Sequence, residues 1–390
     1  MAEGRRRPPS LRDIARAWGR IGVTGFGGPP THIALLRRLC VDERGWMSTR
    51  EFQDAVAATS LLPGPASTQL AILCAWRLRG APGALVGGLC FIVPGLVLIL
   101  ALAVPLLARH PPRWVDGAAA GAGAVVPVVA VRAALGLLPG SWAHTARRRG
   151  ARIRWAAYLA VGAVAGAVAG PYLVVVLLAG GLAEVAATGP RGDRWAGGMA
   201  LAPLLGAAPA VAGGVGALLW VAFKVGALSY GGGFVIVPLM QHDAVSAYHW
   251  LTGPQFLGAV ALGQVTPGPV VQTVAVVGYA ARGVGGGVLA AAVAFAPSFV
   301  FVLAGARHFA RIRTSPVAQA FLGGAGPAAV GAIAGASVPL GLALAKPWQL
   351  GVLAAGALWL VGLRRGIVPA VVGAAVVGAL AVVAGAPVPR

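Results

Sequence analysis

Two stretches of this chain carry the residue types that hold an anion through neutral donors. Ser60-Leu61-Leu62-Pro63-Gly64-Pro65-Ala66-Ser67-Thr68-Gln69 places hydroxyl and amide side chains on both sides of a Pro-Gly-Pro break. Gln264-Val265-Thr266-Pro267-Gly268-Pro269-Val270-Val271-Gln272-Thr273 does the same. Proline suits the first turn of a helix, so each break reads as the end of one half-helix and the start of another. The second half-helix opens with unpaired N–H groups and the positive end of its dipole, which attract negative charge. Two glycine-rich stretches add a second kind of break: Gly22-Val23-Thr24-Gly25-Phe26-Gly27-Gly28-Pro29-Pro30, and Gly226-Ala227-Leu228-Ser229-Tyr230-Gly231-Gly232-Gly233. Adjacent glycines permit positive φ and weaken a helix, so N–H groups around Gly27, Gly28, Gly231 and Gly232 are candidates for direct contact with a ligand. One cation precedes each glycine break, Arg20 and Lys224. A cation inside an apolar segment costs about 2.5–3.5 kcal/mol on insertion scales, so it calls for a counter-charge or a substrate. Arg20, close to the cytoplasmic end, has snorkelling to the interface as an equal alternative, and Lys224 does not.

These four stretches form two sets. The second Pro-Gly-Pro lies at an offset of 204 (267 − 63) from the first, and the same offset relates Gly22 to Gly226, Trp46 to Trp250, Phe52 to Phe256 and Arg20 to Lys224. The chain therefore reads as one module written twice, over residues 1–190 and 205–390, joined by the polar stretch Thr188-Gly189-Pro190-Arg191-Gly192-Asp193-Arg194. Duplicated halves with interrupted helices at corresponding places point to the substrate site of a secondary transporter.

The elements that must position these residues belong in a bilayer. Of 390 residues, 58% are hydrophobic and 11% charged, with a mean hydropathy of +0.81. Soluble domains carry roughly a quarter charged residues. Apolar runs at 84–107, 155–183, 195–223, 283–306, 314–345 and 366–389 all exceed the ~20 residues that cross a hydrocarbon core. The two-residue alternation of barrel strands is missing, so the fold class is all-α, a polytopic membrane protein of about ten to thirteen spanning or re-entrant segments. The net charge of +21 sits between apolar runs, in Arg5-Arg6-Arg7 with Arg12 and Arg16, in Arg147 to Arg154, and in Arg307 to Arg313. It reads as a topology signal with a cytoplasmic N-terminus, not as a nucleic-acid surface. Gly- and Ala-rich faces suit packing within the chain or in a homodimer alike.

Proton coupling would need titratable groups in the membrane, and His32, Asp54 and Glu184 are the candidates, each with an interfacial or capping role as the plainer reading. An enzyme is disfavoured. There is no nucleotide-binding glycine fingerprint after a strand and no Cys-x-x-Cys, and the other histidines, His110, His144, His242, His249 and His308, are scattered. Cys40, Cys74 and Cys90 show no metal-type spacing and read as small apolar fillers. No cofactor or metal is expected.

The motifs in order, Gly25-Phe26-Gly27-Gly28-Pro29, His32-Ile33-Ala34-Leu35 with Arg37-Arg38, Gly45-Trp46, Leu61 to Ala71, Ser229 to Gly233, Trp250-Leu251, Gln264 to Pro269 and Val277-Gly278-Tyr279, cover nearly the whole chain. In them the sequence resembles the chromate ion transporters of the long-chain, two-domain type. Gly25 and Tyr230 stand where that family often has Ser and Phe. The resemblance implies a multi-pass protein of the bacterial inner membrane, with halves in opposite orientation, that expels chromate on the membrane potential or a proton gradient. From the residues of the four breaks, the set expected to bind the anion is Arg20, Gly27, Gly28, Pro63, Gly64, Pro65, Ser67, Thr68, Gln69, Lys224, Ser229, Tyr230, Gly231, Gly232, Gln264, Thr266, Pro267, Gly268, Pro269, Gln272 and Thr273. Sulfate or another oxyanion is the alternative substrate, and an anion channel the alternative mode.

Overall fold

The computed structural model describes residues 9–62, 64–143, 149–168, 172–188, 214–229, 233–305 and 315–389. Every regular element among them is helical. The linker at 189–194, most of the run at 195–223 and the arginines of 307–313 lie outside the described residues.

Each half opens with two helical hairpins. Helix α1 (Leu11–Thr24) starts in a capping box: the Asp13 N–H donates to Ser10 Oγ, while the Ser10 hydroxyl and N–H both donate to the Asp13 carboxylate. Those bonds hold the Asp13 carboxyl below its ordinary range. The chain breaks at Gly25–Gly28 and returns as α2 (Pro29–Arg37), which runs on as a π-turn, Arg38–Glu43. The return brings Trp46 back to stack on Trp18, with ring centroids 6.3 Å apart, and Trp18 Nε1 donates to the Ala71 carbonyl at 2.9 Å.

The second hairpin consists of α3 (Thr49–Leu61) and the first arm of α4 (Ala66–Leu106). Arg77 reaches back to donate to the Glu51 carbonyl, so the two arms are antiparallel and Pro-Gly-Pro forms their tip. At 13 residues α3 extends about 20 Å, less than the ~30 Å of a hydrocarbon core. Helix α4 is not one rod. Arg79 (φ −144°, ψ 23°) and Gly80 (φ 60°, ψ −149°) leave helical geometry, and the chain folds back so that a methyl added at Gly83 would lie 2.3 Å from the Ala75 carbonyl oxygen. Residues 66–79 are thus a half-length arm and residues 81–106 a full-length one.

The second half repeats this order. It has α8 (Val215–Leu228), α9 (Val237–Gln241) between a 3-10 turn (Phe234–Ile236) and a π-turn (His242–Ala247), α10 (Gly253–Val265), a 3-10 turn (Val270–Gln272), and α11 (Thr273–Gly305), which folds back at Arg282–Gly283. The fold-backs are offset by 203 (282 − 79), one less than the tips. The missing residue is taken up just after the second Pro-Gly-Pro, where a tighter 3-10 turn replaces the α-turn of the first half.

The long arms of α4 and α11 cross antiparallel: Gly88 meets Phe299, and Gly287 meets Leu100. The remaining helices exchange partners between halves. Helix α5 (Arg113–Ala143) packs against α14 (Pro347–Ala357) and α15 (Ile367–Val383), while α12 (Pro316–Gly335), continued by the short α13 (Ser337–Leu342), packs against α6 (Arg149–Val168) and α7 (Leu173–Thr188). Glycine makes these contacts close enough to exclude a methyl: one at Gly121 would lie 2.1 Å from the Ala374 carbonyl oxygen, and one at Gly166 2.2 Å from that of Ala332. The small-residue faces that suited packing within or between chains serve packing within this one.

The described residues include four stretches long and apolar enough to cross a membrane, Ala66–Leu106, Arg113–Ala143, Val270–Gly305 and Pro316–Leu342. Rows of exposed apolar side chains, such as Val161, Val164 and Val168 on α6 and Val372, Val376 and Leu380 on α15, form the surface a lipid core requires.

Candidate functional site

The breaks expected from sequence meet one another across the halves. The second Pro-Gly-Pro tip docks on the first glycine break: Gly268 N–H donates to the Gly25 carbonyl at 3.1 Å. His32 Nε2–H donates to that same carbonyl at 2.8 Å, and the His32 ring sits edge-on to Phe91. The first tip docks on the second half: a methyl at Gly64 would lie 3.5 Å from the Gly226 carbonyl oxygen, and one at Gly226 only 2.0 Å from that of Ala294. Val270, just past the second tip, touches both breaks, at Gly28 and at Gly233. Gly27, Gly28, Gly64, Gly233 and Gly268 all have φ between 75° and 119°, a backbone region that disfavours a side chain.

Around this junction Ser67, Thr68, Gln69, Ser229, Gln264, Thr266, Gln272 and Thr273 are all buried, with Pro65, Pro267 and Pro269 beside them. Pro63, Tyr230, Gly231 and Gly232 lie outside the described residues. Neither Pro65 nor Pro269 supplies a side-chain cap to the turn that follows it. At Gly28 the expectation of backbone donors weakens, because Pro29 and Pro30 open α2 without N–H groups.

Several polar atoms are fully enclosed here without a hydrogen-bond partner among the described residues: Thr68 Oγ1, Ser229 Oγ, Ser298 Oγ, Gln264 Nε2, Gln272 Oε1 and His32 Nδ1. Burying such a group unpaired costs about 1–3 kcal/mol, and most buried polar groups are paired. Ser298, on the long arm of α11, was missed in the sequence, where it stands in an apolar run with no motif around it. Other donors expected to face a ligand are already engaged. Thr266 Oγ1 donates to the Leu262 carbonyl at 2.8 Å, Thr273 Oγ1 to that of Val270 at 2.9 Å, and Gln272 Nε2 to that of Ile92 at 2.7 Å.

The two cations differ from each other. Lys224 Nζ lies 2.6 Å from Asp243 Oδ2, with side chains 13% and 7% exposed, and 5.8 Å from the Trp220 ring centre. Its counter-charge is thus built in. Arg20 is exposed on α1, and the residue matching Asp243 in the first half is Leu39. Of the coupling candidates, His32 is at the junction, while Asp54 lies on α3 and is half-buried. Glu184 belongs to a separate cluster: Arg154 donates to both its carboxylate oxygens at 2.7 and 2.9 Å, and Tyr158 at 3.2 Å. Cys40 and Cys74, unpaired in sequence spacing, are buried neighbours in the core. At the far end of the long arm of α4, Arg109, His110, Arg113, Asp116, Thr252 and Gln255 line an open cavity of about 860 Å³, a basic mouth apart from the junction.

The sequence profile of the chromate transporters matches residues 12–185 and 216–382. The chain is 32% identical over 341 residues to a chromate transport protein of Cupriavidus metallidurans, covering 85% of this chain and 82% of that one. It is 29% identical over 367 residues to a probable chromate transport protein of Synechococcus elongatus (88% and 91% covered) and 30% identical over 352 residues to a chromate transport protein of Pseudomonas aeruginosa (85% and 82%). No solved structure matches the chain. Two profile matches that take in all four breaks, on a helical membrane architecture, make this chain a member of the chromate transporter family.

Proposed function

We propose that the protein is a secondary transporter that carries chromate, or a tetrahedral oxyanion like it, outward across the bacterial inner membrane and so confers chromate resistance. The observation that carries this reading is the meeting of the broken segments from both halves around enclosed, unpartnered hydroxyl and amide groups. Neutral donors and helix starts bind a dianion without a fixed countercharge holding it too tightly to leave. The opposite orientation of the halves is supported by the antiparallel crossing of the long arms of α4 and α11, which are corresponding elements. An inverted pair in which each tip docks on the other half's break would give one site reachable from either side by rocking. Export needs no other fuel: a dianion leaving a cell about 100 mV negative inside gains roughly 4.6 kcal/mol, a gradient of more than a thousandfold.

The test is chromate flux in inverted membrane vesicles, with potential and pH gradient imposed separately and excess sulfate as competitor. Uptake driven by an inside-positive potential and resistant to sulfate is the expected result. Uptake that follows the pH gradient alone would bring His32 and Asp54 forward as coupling groups, and displacement by sulfate would make sulfate the substrate. Absence of flux in any arm would overturn the transporter reading.

A further inference from the structure

The two Pro-Gly-Pro tips are equivalent in sequence, but their surroundings differ. The second is tied to the first half by two hydrogen bonds, Gly268 N–H to the Gly25 carbonyl and Gln272 Nε2 to that of Ile92, while the Thr266 and Thr273 hydroxyls are occupied by carbonyls of their own segment. Its seat on the long arm of α4 is Gly95, where a methyl would lie 2.0 Å from the Pro267 carbonyl oxygen and 2.5 Å from Gln272 Oε1. The first tip has a different seat. At the offset of 203 that relates Arg79-Gly80 to Arg282-Gly283 and Pro94 to Pro297, the counterpart of Gly95 is Ser298.

Contacts on the second half place Ser298 beside the first tip. Gly64 packs on the Gly226 carbonyl, Gly226 packs on Ala294, and Ser298 is one helical turn past Ala294 on the same face. Ser229 caps the end of the helix that carries Gly226, and Thr68 opens the arm just after the tip. All three hydroxyls are fully buried and unpartnered among the described residues. Gln264 Nε2 is the corresponding unpartnered donor on the side of the second tip.

Building on the oxyanion reading above, we infer that the anion's oxygens are held on the side of the first tip by the hydroxyls of Ser298, Thr68 and Ser229, and that the second tip is a structural latch. Ser298 is then a substrate-binding residue that only one half supplies. Glycine at its counterpart makes room for the latch, so one anion is bound per chain and not one per repeat.

The experiment uses full-length protein in liposomes with radiolabelled chromate, and the same protein in detergent for thermal unfolding with and without chromate. Ser298→Ala should raise KM about fivefold or more, as loss of one hydrogen bond to an anion does, with kcat within about twofold. Its unfolding midpoint without anion should equal or exceed that of the parent, because an unpaired buried hydroxyl has been removed. The stabilisation by chromate should shrink. Thr68→Val and Ser229→Ala should shift KM in the same direction. Unchanged KM and unchanged chromate stabilisation in Ser298→Ala overturn the inference, as does a KM shift confined to Gln264→Leu, which would put the seat at the second tip. Parent protein that is stabilised by chromate through Ser298 but shows no flux would fail the transport reading and leave the binding site standing. Parent protein with neither flux nor stabilisation overturns both.

Discussion

At the scale of single residues, the two halves share a backbone but not a charge scheme. Arg20 is exposed, whereas Lys224 is enclosed against Asp243, and the first half has Leu39 where that carboxylate stands. Sequence reading found the paired cations through their offset of 204 but left Lys224 without a partner. The acid follows 19 residues later, and only a chain that turns back at the glycine break brings it near. Removing one member of a buried ion pair leaves the other uncompensated, which costs about 3–5 kcal/mol, while replacing both with apolar groups is often close to neutral. Asp243→Asn is therefore expected to lower thermal stability strongly, and Lys224→Met with Asp243→Leu to recover most of the loss. Thermal unfolding of the purified single and double variants measures this. A double variant as unstable as Asp243→Asn would show that the pair matters for more than neutralising its own charge.

At the scale of elements, the glycine and Pro-Gly-Pro breaks were legible because Pro and Gly act locally, and each became a hairpin tip. The fold-backs at Arg79–Gly80 and Arg282–Gly283 were not read. Hydropathy separated arm from span, since the apolar runs start at 84 and 283, but it does not say that the chain reverses direction between them. A signal was available, an Arg-Gly pair recurring at an offset of 203. Both glycines have φ near +60° with ψ of −149° or −159°, a region that is essentially glycine's alone. Nothing lies within 4 Å of a methyl added at either, so the cost of substitution is backbone strain and not crowding. Gly80→Ala and Gly283→Ala should each lose about 1–3 kcal/mol, and the double variant the sum, since the sites share no neighbours. Unfolding midpoints test this, and a cost at only one of them would mean that the two turns are not equivalent.

At the scale of the whole molecule, duplication was plain in the sequence, but the exchange of partners was not, because similarity between two halves says nothing of which helices touch. Helix α5 lies between the last helices of the other half, and α12 between the last helices of the first. These contacts run through glycine at sub-methyl distances, as at Gly117 with Gly378 and Gly162 with Ala328, where the only adjustment available is separation of backbones. Each half alone therefore exposes the small-residue faces of its α5 or α12 and of its last two helices, with no lipid tail able to fill the grooves as closely. Residues 1–190 and 205–390, expressed as separate chains in one cell, should find each other, co-purify in detergent and recover transport. Either piece expressed alone should be degraded or aggregate. Two pieces that are each stable alone and do not associate would show that the exchange of helices is not what holds the halves together, and the hairpin tips, whose contacts with the other half include the Gly268–Gly25 hydrogen bond, would then have to do so by themselves.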